Sequence, residues 1–188
     1  FFDVGITEQH AASLAAGLAL GGLRPFAAIY STFSQRAVDQ ILHDICLQNL
    51  GVTLLLDRSG LVGNDGETHQ GLYDTAIFQG LPNLQLFAPA DSQDLDLILD
   101  YALAQEGPVM VRYPKAKAKP DLDLPLEQRN IHGARQLSQG ADYTLLVFGS
   151  LAANALSASR ELADQDGPQA DVYSLICGKG ADLEEVKR

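Results

Sequence analysis

The chain has 188 residues, of which 46% are hydrophobic and 20% are charged, the proportions of an ordinary globular protein. Its net charge of −11 argues against a general affinity for nucleic acid or anionic membranes, because its long-range field repels polyanions. Two distant cysteines do not suggest a disulfide framework, and no apolar run reaches the length of a membrane span, so a reducing, cytoplasmic setting is expected.

An alanine-rich helix follows an acidic residue near the start of the chain. Residues 11–20 are small and apolar on every face, which is typical of a buried helix that ends at Gly21 and Gly22. Glu8 therefore lies at a helix start inside a core or an interface. Glu8 could simply favour the positive end of the helix dipole behind a Thr7 cap. Alternatively, it is a functional carboxylate, since a buried charge needs a polar partner.

Further along the chain, short β-rich runs alternate with helical patterns. The predicted strands are 25–30, 52–56, 84–87 and 109–111. One helix is predicted at 34–49, with Ala37, Ile41 and Ile45 on one face. A second helix carries Leu95 to Ala102 and is capped by Asp91 or Ser92. Continuous apolar strands such as 52–56 are typical of parallel sheets that are buried on both faces. The alternation therefore predicts an α/β fold.

The remaining third of the chain predicts a linker and the start of a second α/β domain. Hydrophobic density falls between Lys115 and Arg135, where prolines stand among acidic residues. Beyond it, the predicted elements are strands at 143–148 and 170–175 and a helix from about 151 to 163. The predicted domains are 1–118, a linker at 119–140, and a truncated domain at 141–188.

Cations recur where the predicted strands end, for example Arg36 and Arg58. Ligands of parallel α/β sheets bind outside the carboxyl ends of the strands, so these side chains are candidates for anion binding. A basic run without acidic residues contains Arg112, Lys115, Lys117 and Lys119. This run could be a solvated loop or a local phosphate site.

The longest predicted loop, residues 58–71, contains four glycines, which allow a contorted path and a close approach of backbone to a ligand. Asp65 and His69 supply acid, base and hydrogen-bonding groups there. The loop is predicted to be functional, although a surface loop with an incidental histidine is the alternative.

Several strings together resemble the pyrimidine-binding domain of the thiamine-diphosphate-dependent transketolase superfamily and, within it, the 1-deoxy-D-xylulose-5-phosphate synthase family. The strings are GITEQH at 5–10, YSTF at 30–33, QRA at 35–37, DR at 57–58, GNDGETHQG at 63–71 and VRYP at 111–114. The resemblance implies a three-layer, doubly wound, mostly parallel sheet of the thiamine-diphosphate-binding fold, followed by part of a second α/β domain.

The resemblance also implies how the cofactor is bound and activated. Glu8 would hydrogen-bond a pyrimidine nitrogen of thiamine diphosphate and so promote removal of the thiazolium proton. Phe33 would stack on the pyrimidine ring. Arg36 would lie near the cofactor, although it could equally brace its loop through Asp39.

The implied reaction condenses pyruvate with glyceraldehyde 3-phosphate to 1-deoxy-D-xylulose 5-phosphate, with loss of carbon dioxide, for isoprenoid and thiamine biosynthesis. His69 and Asp65 would bind the hydroxyls and aldehyde of the acceptor, with His69 helping proton transfer.

The phosphate of the acceptor would be held by Tyr30, Arg58 and Lys115. The family typically has arginine followed by glycine where this chain has Lys115 and Ala116, which weakens phosphate binding or shifts it toward Lys117.

The cofactor's diphosphate and Mg²⁺ are held in the family by an amino-terminal domain that this sequence lacks. The chain is therefore expected to be a piece of a longer protein, to contain no complete metal site and to be inactive alone, and a homodimer is implied. A transketolase or a 2-oxoacid dehydrogenase beta-type subunit is the nearest alternative. A non-catalytic subunit-interface domain is an alternative of another class.

Overall fold

A computed structural model of the chain describes residues 1–117, 122, 124, 129–184 and 186. Lys119 and part of the predicted linker lie outside the described residues. The contacts form two compact units, Phe1–Leu86 with Leu99–Ala116, and Phe87–Ile98 with Lys117–Arg188. The second unit thus takes in a stretch that precedes the predicted boundary at 118, and the predicted domain boundaries stay a prediction.

The first unit is built on a four-stranded sheet with the order β1, β2, β4, β3. The strands are β1 (Phe26–Tyr30), β2 (Thr53–Asp57), β3 (Gln85–Phe87) and β4 (Val109–Arg112). The pairs β1–β2 and β2–β4 are parallel, with Tyr30 opposite Asp57 and Leu56 opposite Arg112. The carboxyl ends of three strands therefore lie side by side, as the pattern of buried apolar strands predicted.

The helices of this part of the chain are α1 (Glu8–Leu20), α2 (Val38–Gln40), α3 (Asp74–Phe78) and α4 (Ser92–Ala104). In α1, Ala12, Ala15 and Ala16 are buried, whereas Leu20 is 65% exposed. In the described chain α1 is therefore buried on one side only, whereas the sequence predicted a helix buried in a core or an interface. The helix α3 was not predicted.

The two ends of α1 are fixed in different ways. The Thr7 hydroxyl donates to the Val4 carbonyl at 2.6 Å and makes no capping bond, so the interpretation of Thr7 as a side-chain cap is wrong. At the other end, Gly22 has a φ of +86°, and the Leu23 amide donates to the Leu18 carbonyl at 3.1 Å. This glycine-ended turn closes the helix where the sequence predicted.

The segment predicted as one helix at 34–49 is three short helical pieces. A 3₁₀ helix at Ser31–Ala37 leads into α2, and a π-helical turn follows at Ile41–Cys46. The predicted apolar face of Ala37, Ile41 and Ile45 is fully buried and is confirmed. The four-residue spacing from Ala37 to Ile45 runs over α2 and the π-helical turn, and residues four apart share a face in both, which is why periodicity did not separate them.

The second unit contains a three-stranded sheet with the order β5, β7, β6. Its elements are β5 (Arg135–Ser138), β6 (Tyr143–Phe148), α5 (Ala152–Asp164) and β7 (Ala170–Leu175). Strands β6 and β7 are parallel, and β5 is antiparallel to β7. The last part of the predicted linker at 119–140 is therefore a strand, which its short polar sequence did not indicate.

A closed ionic cluster lies inside the second unit. Arg129 donates to both oxygens of Asp91 at 2.8 and 2.9 Å and to Asp94 at 2.7 Å. Arg135 donates to the two oxygens of Asp94 at 2.6 and 2.8 Å. The side chains of Arg129, Asp91 and Asp94 have no exposed surface. Burial alone raises the pKa of Asp91, but hydrogen bonds from Arg129 and from two backbone amides outweigh it and lower that pKa.

Candidate active site

A cavity of about 400 Å³ opens at the start of α1 and the end of β1. It brings together four residues that the sequence predicted for the site, Glu8, Tyr30, Phe33 and His69. The rest of the lining is mostly apolar, from residues 4–7, 11, 28 and 29. The cavity therefore offers a carboxylate, two aromatic rings and an imidazole to a ligand in apolar surroundings.

Glu8 has the polar partner that its burial requires. Its side chain is 10% exposed, and the Arg36 guanidinium donates from Nη1 to both carboxylate oxygens, at 3.2 and 3.3 Å. Arg36 itself is 47% exposed. The alternative that Arg36 braces its loop through Asp39 is not what the structure shows, because Asp39 instead approaches His43 at 3.7 Å. The Glu8 carboxylate is thus buried, whereas its present partner lies half in solvent.

Arginines and aromatic rings form a continuous row along the site. The Arg36 guanidinium lies 4.6 Å from the centre of the Phe33 ring, and the Arg58 guanidinium lies 4.1 Å from that of Tyr30. The Tyr30 and Phe33 rings are nearly parallel, with centres 5.9 Å apart. The His69 ring meets Phe33 edge-on at 5.1 Å. This row places the side chains from the cofactor and acceptor predictions in contact with one another.

A cluster of two cations and one carboxylate lies beside Tyr30. Asp65 accepts hydrogen bonds from Arg58 and from the Lys115 ammonium, the latter at 2.9 Å. The hydrogen bond from Lys115 lowers the pKa of Asp65, and Arg58 adds to this effect. One carboxylate therefore holds two cations together at the strand ends, where an incoming anion would meet both of them.

The loop that carries Asp65 and His69 is closed at its base. Gly60 and Gly71 exchange two backbone hydrogen bonds, of 2.7 and 2.9 Å. A Cβ atom at Gly71 would lie 2.5 Å from the Arg58 carbonyl, so only glycine fits this close approach. Inside the loop, the Gln70 amide holds the Val62 backbone through bonds of 2.7 and 3.2 Å. The loop thus follows a contorted path held by internal hydrogen bonds, which its four glycines allow, and its functional role stays a prediction.

Below this loop lies a buried carboxylate that the sequence reasoning missed. Asp74 has no exposed side-chain surface, and its Oδ2 accepts from Ser31 at 2.9 Å, Ser59 at 3.0 Å and the Nε of Arg112 at 3.0 Å. Arg112 belongs to the basic run that the sequence left open between a solvated loop and a local phosphate site, and in the structure it faces this carboxylate. The available signal was a serine shortly after each of two strands, which needs an acceptor when buried.

The other members of the basic run differ in their surroundings. Lys115 contacts Asp65, and Lys117 is exposed. Within the described part of the chain, no group of three or more histidine, cysteine or acidic residues could hold a metal ion. Cys46 and Cys177 are both buried, and burial raises the pKa of Cys177. None of the described helices is long and apolar enough to cross a membrane.

Comparisons with known proteins agree on one family. Residues 1–120 match the family described as transketolase, pyrimidine binding domain. A 1-deoxy-D-xylulose-5-phosphate synthase of Desulforudis audaxviator is 49% identical over 93% of this chain and 27% of its own length. The enzyme of the same name from Pelotomaculum thermopropionicum is 49% identical over the whole chain and 30% of its own length. The chain therefore spans less than a third of these curated relatives.

Solved structures give the same answer for the fold. A split-gene transketolase, described as an inactive beta4 tetramer, is 32% identical and superposes with a TM-score of 0.80 over 93% of this chain and 55% of its own. A transketolase from Campylobacter jejuni is 27% identical, with a TM-score of 0.78 over 94% of this chain and 28% of its own. The expected α/β fold with a parallel sheet and the resemblance found in the sequence are both confirmed.

Proposed function

Because the chain belongs to the family of transketolase pyrimidine-binding domains, we propose that it binds the pyrimidine of thiamine diphosphate within a thiamine-diphosphate-dependent transferase. More narrowly, the reaction is the condensation of pyruvate with glyceraldehyde 3-phosphate to 1-deoxy-D-xylulose 5-phosphate, with release of carbon dioxide. The names of the curated relatives support this reaction. The observation that carries the proposal is a buried carboxylate, Glu8, facing an aromatic cavity.

The cavity residues suit an aminopyrimidine. Such a ring has a flat apolar face and nitrogen atoms at its edge, and the cavity combines the Phe33 ring with the Glu8 carboxylate. Glu8 accepts or shares a proton at a ring nitrogen, and its burial strengthens that hydrogen bond because little water competes. When bound, the cofactor supplies a thiazolium carbon that acts as nucleophile and electron sink.

Arg36 would compete with a pyrimidine for its contacts. It contacts both the Glu8 carboxylate and the Phe33 ring, the two groups that a pyrimidine needs. A ring nitrogen that bonds Glu8 therefore competes with Arg36 for the carboxylate. Because Arg36 is 47% exposed, it turns into solvent at little cost.

The acceptor binds at the opposite end of the row. Arg58 and Lys115 supply the positive charge for its phosphate, with Tyr30 stacked under the Arg58 guanidinium. Asp65 then accepts hydrogen bonds from the acceptor hydroxyls. His69, in edge contact with Phe33, donates a proton to the aldehyde oxygen as its negative charge develops.

The decisive variant is Glu8→Gln in the full-length protein that carries this chain. Gln keeps the size of the side chain but cannot take up a proton, so kcat falls by about 100-fold to 10,000-fold. Glu106→Gln, on an exposed glutamate outside the proposed site, is the matched control and keeps wild-type activity. Size-exclusion chromatography of both variants tests the interface alternative, which predicts altered assembly with unchanged turnover for Glu8→Gln.

Product analysis separates the synthase from a transketolase, the second candidate that the solved structures favour. With pyruvate and glyceraldehyde 3-phosphate, the synthase forms 1-deoxy-D-xylulose 5-phosphate and carbon dioxide. A transketolase instead transfers a two-carbon unit between sugar phosphates. Absence of the deoxy sugar, with ketol transfer present, rejects the narrower reaction.

We assign no Mg²⁺ ligand to the described residues, and propose that the metal and the diphosphate are held by a separate amino-terminal domain. The assembled enzyme is proposed to be a homodimer. Calorimetry of the isolated chain with thiamine diphosphate and Mg²⁺ tests this division. Weak or undetectable binding is expected, and submicromolar binding would contradict it.

A further inference from the structure

Asp74 occupies the point where three strand ends converge. Its Oδ2 accepts from Ser31, directly after β1, from Ser59, two residues after β2, and from Arg112, the last residue of β4. Its Oδ1 accepts from the Thr75 amide at 2.8 Å. The carboxylate is fully buried, so each of these bonds forms without competition from water.

Each serine that bonds Asp74 begins a segment of the proposed site. Ser31 is the first residue of the 3₁₀ helix that carries Phe33 and Arg36. Ser59 follows Arg58 and stands at the base of the loop that is closed by Gly60. Asp74 therefore joins the segment facing the proposed cofactor to the segment facing the proposed acceptor.

The packing around Gly71 shows that this junction has little freedom. A Cβ atom at Gly71 would lie 2.5 Å from the Ser31 hydroxyl and 2.5 Å from the Arg58 carbonyl. The two segments therefore touch across a position with no room for a side chain, and the shared carboxylate sets their separation. In a packed site, a displacement of about 1 Å costs on the order of 100-fold in rate.

We propose that Asp74 is a positioning residue that fixes the acceptor-binding side chains relative to the cofactor-binding ones. The inference rests on the proposed function and adds a residue to it. Asp74 touches neither ligand and acts through Ser31 and Ser59. Because each serine hydroxyl can be removed alone, the effect on the cofactor segment can be measured separately from the effect on the acceptor segment.

The test uses Ser59→Ala, Ser31→Ala and Asp74→Asn in the full-length protein. Ser59→Ala frees the acceptor segment, so KM for glyceraldehyde 3-phosphate rises about tenfold while the Kd for thiamine diphosphate stays within twofold. Ser31→Ala gives the reverse, about a tenfold weaker cofactor Kd with little change in that KM. Asp74→Asn combines both effects, and Asp100→Asn, an exposed aspartate, is the matched control.

Hydrogen exchange of the same proteins provides a readout that does not depend on activity. Faster exchange at residues 58–71 in Ser59→Ala, but not in Ser31→Ala, supports the positioning role. Equal losses in every kinetic and exchange parameter would mean that the network is merely structural, and unchanged values in both serine variants would also overturn the proposal. If Asp74→Asn does not fold, the serine variants still decide the matter.

Hydrogen exchange tests the positioning role of Asp74, and product analysis tests the proposed reaction, so either proposal can be rejected without the other. If the wild type makes no deoxyxylulose phosphate while exchange changes as expected, the proposed reaction is wrong and the segment-fixing role of Asp74 stands. If the wild type makes the product and the serine variants behave identically to it, the positioning role is wrong and the proposed reaction stands.

Discussion

Glu8 and Asp91 are both buried carboxylates paired with arginine, but only one of the pairs is open to exchange. Arg36 is 47% exposed and donates to Glu8 at 3.2 and 3.3 Å. Arg129 has no exposed surface and bonds Asp91 at 2.8 and 2.9 Å. The two pairs therefore differ mainly in the exposure of the arginine. A ligand can replace the half-exposed Arg36, whereas the buried Arg129 is a permanent partner of Asp91.

The largest expected effect is on the closed pair. Arg129→Met leaves the Asp91 carboxylate buried without its guanidinium, and breaking such a pair costs about 3–5 kcal/mol of stability. Urea unfolding followed by circular dichroism measures the loss. Arg160→Met, on an exposed arginine of α5, is the control and changes stability by less than about 0.5 kcal/mol. A similar small change for Arg129→Met would remove the distinction between the two pairs.

Acid provides a second way to probe the closed pair. The pKa of Asp91 is lowered in the folded chain, so its stabilising effect is complete above the unfolded pKa of about 3.9 and is lost as pH falls through the lower folded value. Stability of the wild type should fall below about pH 4, and Asp91→Asn should show a shallower decline over that range. If the two proteins lose stability in parallel as pH falls, Asp91 does not contribute to the acid sensitivity of the fold.

The open pair should contribute little to stability. Arg36→Met is expected to change the free energy of unfolding by less than about 1 kcal/mol, because Arg36 is half exposed and Glu8 lines the cavity, where water can hydrogen-bond the carboxylate in place of the guanidinium. Lys117→Met, on an exposed lysine, is the control. A loss as large as that of Arg129→Met would mean that Arg36 is a structural partner of Glu8, and not a replaceable one.

The smallest expected effect concerns Lys115, which is 43% exposed beside Asp65. Lys115→Arg restores the two-pronged donor that the family typically has, so KM for the phosphorylated acceptor should fall a few-fold with kcat unchanged. Lys117→Arg is the matched comparison. An equal fall in that variant would place the phosphate nearer Lys117, the alternative that the sequence left open.

Much of the fold followed from local patterns. Strands β6 and β7 have their predicted limits, because apolar runs between turn residues determine them. The need of Glu8 for a polar partner was also correctly predicted from burial. The pairing of Glu8 with Arg36 was not predicted, since the sequence suggested only Asp39 as a side-chain partner of Arg36, and the path of the 3₁₀ helix brings Arg36 to Glu8 instead.

Asp74 shows why other parts of the site could not be predicted from the sequence. Its partners Ser31, Ser59 and Arg112 are 43, 15 and 38 residues away in sequence, and no local pattern connects them. Strand order brings them together, and it is a property of the whole sheet. The roles of the site residues themselves stay predictions until the variants above are measured.

The bridge between Gly60 and Gly71 has a practical consequence for altering this protein. Because the two glycines close the base of the loop, residues 61–70 form a cassette whose ends are joined by backbone hydrogen bonds, while Asp65 and Gln70 inside it hold Arg58, Lys115 and Val62. A library that keeps both glycines, Asp65 and Gln70 and randomises the other cassette positions changes the groups offered to the proposed acceptor. Selection for a different acceptor can then proceed separately from the proposed role of Glu8.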